Sequence, residues 1–169
     1  KNFQNFYKGA LAYQVDFVHN FDVPANIQLT PEDQEVNIAS LNPSVIRDTR
    51  DDFLNPASGS LNGAWFRWAA QFMGGQVQEV KLNLQSSWFF NLGRNVVMAV
   101  SGRAGVANNF GETIEVPLVE RFKLGGITTV RGYAPDSLGV MNQTLNPDFT
   151  PIGGNSMILF NWELRANLP

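Results

Sequence analysis

The chain has 169 residues, a net charge of −3, no cysteine and a single histidine, His19. These numbers exclude disulfides, thiolate or histidine-cluster metal sites and the strong field needed for nucleic acid. Aromatic residues reach 12% while charged residues are only 16%, against about 25% charged in ordinary domains, so part of the surface is expected not to face water.

Period-2 alternation, the mark of a two-faced strand, appears first over 7–23. Tyr7, Leu11, Tyr13, Val15, Phe17 and Phe21 share one face, and Lys8, Gln14, Asp16 and Asp22 the other. A second strand is expected over 36–50, weakened by Pro43, which removes a ladder donor. Asn55-Pro56 and Ser58-Gly59 mark a turn. A third strand over 60–73 sets Ala64, Phe66, Trp68 and Phe72 against Gly63, Arg67 and Gln71. Gly74-Gly75 predicts a tight hairpin.

The fourth strand, 77–91, alternates Val80, Leu82, Leu84, Trp88 and Phe90 with Glu79, Lys81, Asn83 and Gln85. The fifth, 95–107, sets Val96, Met98, Val100 and Val106 against Ser101 and Arg103. A long loop follows over 108–153. It has Phe122, Ile127, Val130 and Tyr133, too many aromatic and β-branched residues for disorder. The last strand, 154–167, sets Ile158, Phe160, Trp162 and Leu164 against Asn161, Glu163 and Arg165.

Strands of this length exceed the about 5–6 residues common in soluble sheets and match membrane-barrel strands. A soluble sandwich or lipocalin-like barrel also alternates, but explains the strand lengths and low charge less well. The expected fold is all-β, a transmembrane antiparallel β-barrel. Six strands cannot close one, since the smallest barrels have about eight, so residues 1–169 are expected to be part of a barrel domain. Short turns at 51–59 and 91–95 are expected on the periplasmic side, and the connections at 24–35, 74–75 and 108–153 on the extracellular side. No signal peptide is visible and Lys1 is not a natural start, so the N-terminus is expected to be missing or processed.

Three stretches carry a resemblance. Asp48-Thr49-Arg50-Asp51 leads to Pro56 and Gly59. Phe122-Lys123-Leu124-Gly125-Gly126 precedes Val130-Arg131-Gly132-Tyr133 in the long loop. The third stretch is Ile152-Gly153-Gly154-Asn155 continuing to Trp162-Glu163-Leu164-Arg165. In this order they resemble the outer-membrane β-barrel assembly superfamily: BamA-like barrels, TamA, two-partner-secretion transporters, and mitochondrial and chloroplast insertion barrels.

The resemblance implies a barrel of about sixteen strands, with these six as the seventh to twelfth and the long loop folded into the lumen. It implies a Gram-negative outer membrane and insertion of β-barrel proteins, without enzymatic bond chemistry or cofactors. The implied partners are the missing strands of the same barrel, upstream POTRA domains, nascent outer-membrane proteins, assembly lipoproteins and the lipid bilayer, with no nucleic acid. A polypeptide secretion channel of the two-partner class is the alternative on the same fold; a passive porin or structural barrel lacks a reason for the Val-Arg-Gly-Tyr run.

Inside a lumen an unpaired arginine would be costly, so Arg131 requires a partner. Parity supplies one, because Glu163 shares the inward face with Asn161. An Arg131–Glu163 contact is predicted, with Gly132 allowing tight passage of the loop tip and Tyr133 packing on the wall. Asp48, Arg50, Arg67 and Arg103 are the candidates for a lumenal charge network joining wall and loop.

Overall fold

A computed structural model describes residues 6–19, 35–93 and 95–166. The strands are β1 (Tyr7–His19), β2 (Glu35–Asp48), β3 (Gly59–Ala69), β4 (Glu79–Gly93), β5 (Val96–Asn109) and β6 (Ser156–Ala166). They form one open antiparallel sheet in chain order, with β1 and β6 at its edges. The strand extensions expected over 20–23 and at 167 lie outside the described residues.

Register carries the alternation across the whole sheet. Gly9, Val45, Ala64, Leu84, Ala104 and Ile158 fall in one cross-strand row. This face keeps its large apolar groups uncovered, Phe17 at 80% and Ile158 at 85% exposure. A continuous apolar face of that kind is a lipid belt. The opposite face carries Asp16, Arg67, Lys81, Arg103 and Glu163 and is the inner one.

Pro43 lies within β2 opposite Leu11 of β1. On its other side the ladder to β3 passes from Leu41–Trp68 to Ser44–Trp65, omitting Asn42 and Pro43. The missing donor thus interrupts one ladder without ending the strand.

The tight Gly74-Gly75 hairpin is not formed. β3 stops at Ala69, a single 3-10 turn spans Gln71–Met73, and Gly74 follows in the left-handed region at φ +97°. The reason is β2, whose first residues, 35–39, run past the end of β3 and need other partners. Gln76 supplies them: its N–H donates to Asn37 O at 2.7 Å, and its side-chain oxygen accepts from Asn37 N–H at 3.1 Å. Gly75 lies so close to β2 that a Cβ would stand 2.5 Å from Ala39 N. Val77 then closes a small core with Val36, Ile38 and Ala69.

Candidate functional site

The long loop docks on the inner face at two places. The deeper one is built on Glu120. Arg67 of β3 and Lys81 of β4 are direct register partners and both point inward. Two adjacent cations on a low-dielectric wall need a carboxylate. Glu120 of the loop provides it, bonding Arg67 Nη1 through Oε1 and Lys81 Nζ through Oε2, the latter at 3.0 Å. Lys81 Nζ also donates to the Glu120 backbone oxygen at 2.5 Å. Arg67 Nη2 also reaches Asp16 of β1 at 3.3 Å, so Glu120 ties β3 to β4 and Arg67 extends the cluster to β1. The Glu120 side chain is only 11% exposed and that of Arg67 18%.

Next to this cluster, Phe122 lies under the Lys81 ammonium, which sits 4.9 Å from its ring centre. The ring occupies the space above Gly105, where a Cβ would stand 2.5 Å from it. Phe122 also exchanges backbone hydrogen bonds with Gly154 at 2.8 and 2.9 Å. The loop therefore leaves β5, crosses the inner wall and is stitched to the segment entering β6.

The second place holds the Val-Arg-Gly-Tyr run. Arg131 Nη2 stands 3.0 Å from Glu163 Oε1. The other oxygen of Glu163 accepts from Arg165 Nε at 3.2 Å and Nη2 at 3.1 Å. The Arg131 side chain is 70% exposed, so water competes for this pair. Gly132 adopts φ +93°, and a Cβ there would meet no atom within 4 Å. It is thus needed for its backbone conformation, and the expected tight passage is not what requires it. Tyr133 is exposed and not covered by this wall; its backbone oxygen accepts from Gly126 N–H at 3.1 Å. Val130 is half-buried.

Of the four residues expected in a wall-and-loop network, two touch the loop. Arg67 holds Glu120, and Arg103 Nη1 donates to Thr128 O at 2.9 Å. Asp48 and Arg50 do not join them. They form their own two-pronged pair, Arg50 Nε to Asp48 Oδ1 at 2.9 Å and Nη2 to Oδ2 at 2.7 Å. Arg50 then packs over Phe53 and donates to its carbonyl. Asp48 is the last residue of β2 and Arg50 lies just beyond it, so the pair sits where the strand passes into the β2–β3 turn.

That turn is organised by Asp51, whose Oδ1 accepts from the N–H groups of Asp52, Ala57 and Ser58 at 3.0, 2.9 and 3.0 Å. These bonds, that from Ser58 foremost, hold its pKa at about 2, below the ordinary 3.8.

Glu120 and Lys81 were missed in the sequence. Parity had already placed Lys81 and Arg67 on one face with no inward acid beside them on β3 or β4 other than Glu79. The search for a counter-charge in the loop could have started there. Among the described residues no group of three or more His, Cys, Asp or Glu could hold a metal ion.

The family model for the Omp85 superfamily domain matches residues 4–169. The chain belongs to the Omp85 superfamily. This Omp85 segment is 30% identical, over 73% of its length, to the outer membrane protein assembly factor BamA of Neisseria meningitidis, and covers 15% of that protein. It is 29% identical over 77% of its length to a SAM50-like protein of Schizosaccharomyces pombe, covering 27% of it. In structure it is similar to BamA of Haemophilus ducreyi lacking POTRA domains 1–3, with a TM-score of 0.73 and 21% identity, over 96% of this chain and 34% of the other. The Omp85 segment thus spans from about a seventh to a third of these proteins, and its fold is part of a β-barrel.

Proposed function

We propose that this chain is the central part of an outer-membrane barrel that folds and inserts other β-barrel proteins. The proposed barrel has about sixteen strands, these six being the seventh to twelfth, with POTRA domains upstream. The observation that carries the reading is the loop fastened by charge to the inner wall, opposite an uncovered apolar belt. A porin's constriction loop gives no reason for the Val-Arg-Gly-Tyr run, whose Arg131 meets Glu163 of the wall. The similarity to an assembly factor from Neisseria supports both the activity and a Gram-negative outer membrane.

In this reading the chain performs no bond chemistry. Glu120, held by Arg67 and Lys81, anchors the root of the loop. Arg131 on Glu163 latches its tip and is the weaker, more readily broken of the two. Lateral opening and bilayer thinning belong to the strands outside this segment, together with nascent barrel proteins and assembly lipoproteins as partners.

Depletion of the full-length protein in its host tests the proposal. Other outer-membrane barrels are expected to lose their heat-modifiable folded form. If they assemble normally, the insertase reading is wrong; if only one secreted polypeptide is retained in the cell, the protein is a secretion channel.

A further inference from the structure

One polar row crosses the lipid-facing side of the sheet. Arg47 lies on the same face as Val45 and is paired in register with Tyr7 of β1 and Asn62 of β3. Arg47 Nη1 donates to Ser60 Oγ at 3.3 Å, and Asn62 Nδ2 donates to the same oxygen at 3.0 Å. Ser86 Oγ donates to Asn62 Oδ1 at 2.7 Å, and Trp88 Nε1 donates to Ser86 Oγ at 2.9 Å. The neutral members satisfy one another. Arg47 joins the row by one hydrogen bond but its charge is not balanced: its guanidinium lies 5.9 Å from the Tyr7 ring centre, and among the described residues no carboxylate stands within ion-pair distance of it.

A full positive charge on a lipid-facing wall is costly unless the membrane itself supplies its partner. Arg47 immediately precedes Asp48, the last residue of β2, so it stands at the end of the spanning segment, where headgroups lie. Beside it a groove of about 560 Å³ runs over Ala64, Gly102 and Ala104 between Val45, Leu84 and Phe160. A Cβ at Gly102 would meet nothing within 4 Å, so the groove floor is open. A fixed cation continuous with an apolar channel is the two-part recognition of a charged lipid.

We propose that Arg47 and this groove bind one anionic phospholipid, phosphate oxygens on the guanidinium and an acyl chain over Gly102. The site is independent of the insertase reading, because its readout is lipid retention.

Native mass spectrometry of the full-length protein, titrated with phosphatidylglycerol and phosphatidylcholine of identical acyl chains, tests it. The wild type is expected to hold one phosphatidylglycerol preferentially. Arg47→Gln lowers that affinity by about fivefold, the factor for one basic residue near an anionic surface, and leaves phosphatidylcholine unchanged. Gly102→Leu fills the groove and weakens both lipids. Lys8→Gln, on the inner face of β1, changes neither. The proposal is overturned if Arg47→Gln retains the phosphatidylglycerol preference, if Gly102→Leu binds both lipids as before, or if millimolar inorganic phosphate displaces the lipid completely.

Discussion

Among the described residues two glutamates are buried on the inner side, and they behave as opposites. Glu120 has Arg67 and Lys81 on its two oxygens, while neither oxygen of Glu79 accepts a hydrogen bond. Breaking a buried pair leaves an uncompensated charge and costs roughly 3 kcal/mol or more, whereas an exposed pair is worth about 0–1 kcal/mol. Glu120→Gln is therefore expected to lower hydrogen-exchange protection of loop amides 115–125 by about a hundredfold, since 1.4 kcal/mol is a factor of ten. Arg131→Gln is expected to change protection in 127–135 by less than about fivefold, because the Arg131 side chain is 70% exposed. A larger effect at Arg131 than at Glu120 would reverse this ranking. Glu79→Leu replaces an unpartnered polar group with an apolar one and is expected to raise the urea midpoint, or at least not lower it.

At the scale of elements, the β2–β3 turn is held by Asp51, by Asp52, whose Oδ1 accepts from the Leu54 and Asn55 N–H groups at 2.8 and 2.7 Å, and by one glycine. The Asp51 pKa is lowered to about 2 from 3.8. A depressed carboxyl stabilises the folded turn fully above its ordinary value, and that contribution is lost as pH falls from about 4 towards 2. Amide exchange at Ala57 and Ser58 should accelerate over that window, and Asp51→Asn should abolish the pH dependence; an unchanged profile in the variant would show that the three N–H bonds do not hold the turn. Gly59 sits at φ +96°, and a Cβ there would collide with the Thr49 carbonyl. Gly59→Ala is expected to cost about 1–3 kcal/mol of strain or more, read as a smaller heat-modifiable folded fraction. The same turn shows how far local sequence reaches. Asn-Pro and Ser-Gly chemistry located it, because such turns are built from adjacent residues. Gly74-Gly75 carried an equally strong local signal and misled, since the start of β2, which β3 leaves uncovered on one side, lies more than thirty residues away.

For the whole molecule, which face meets lipid decides the cost of a charge. Leu84→Arg on the apolar belt is expected to destabilise the refolded protein by roughly 2–4 kcal/mol, while Ser101→Arg on the inner face should be tolerated. Equal costs in urea titrations from lipid vesicles would mean that the faces are assigned wrongly. Six strands, their order and their two faces were legible in the sequence because alternation is a property of each strand alone. Glu163 was legible for the same reason, since parity put it on the inner side, whereas the place of Arg131 in the lumen came from the resemblance of its loop to the family. What the sequence left open was the depth at which each loop residue sits. Docking depends on where a loop of more than forty residues crosses the wall, and no periodicity encodes that path. The tertiary structure alone made Glu120 the buried anchor, left Arg131 beside water, and kept Asp48 and Arg50 paired with each other at the end of β2, because burial is set by neighbours distant in the chain.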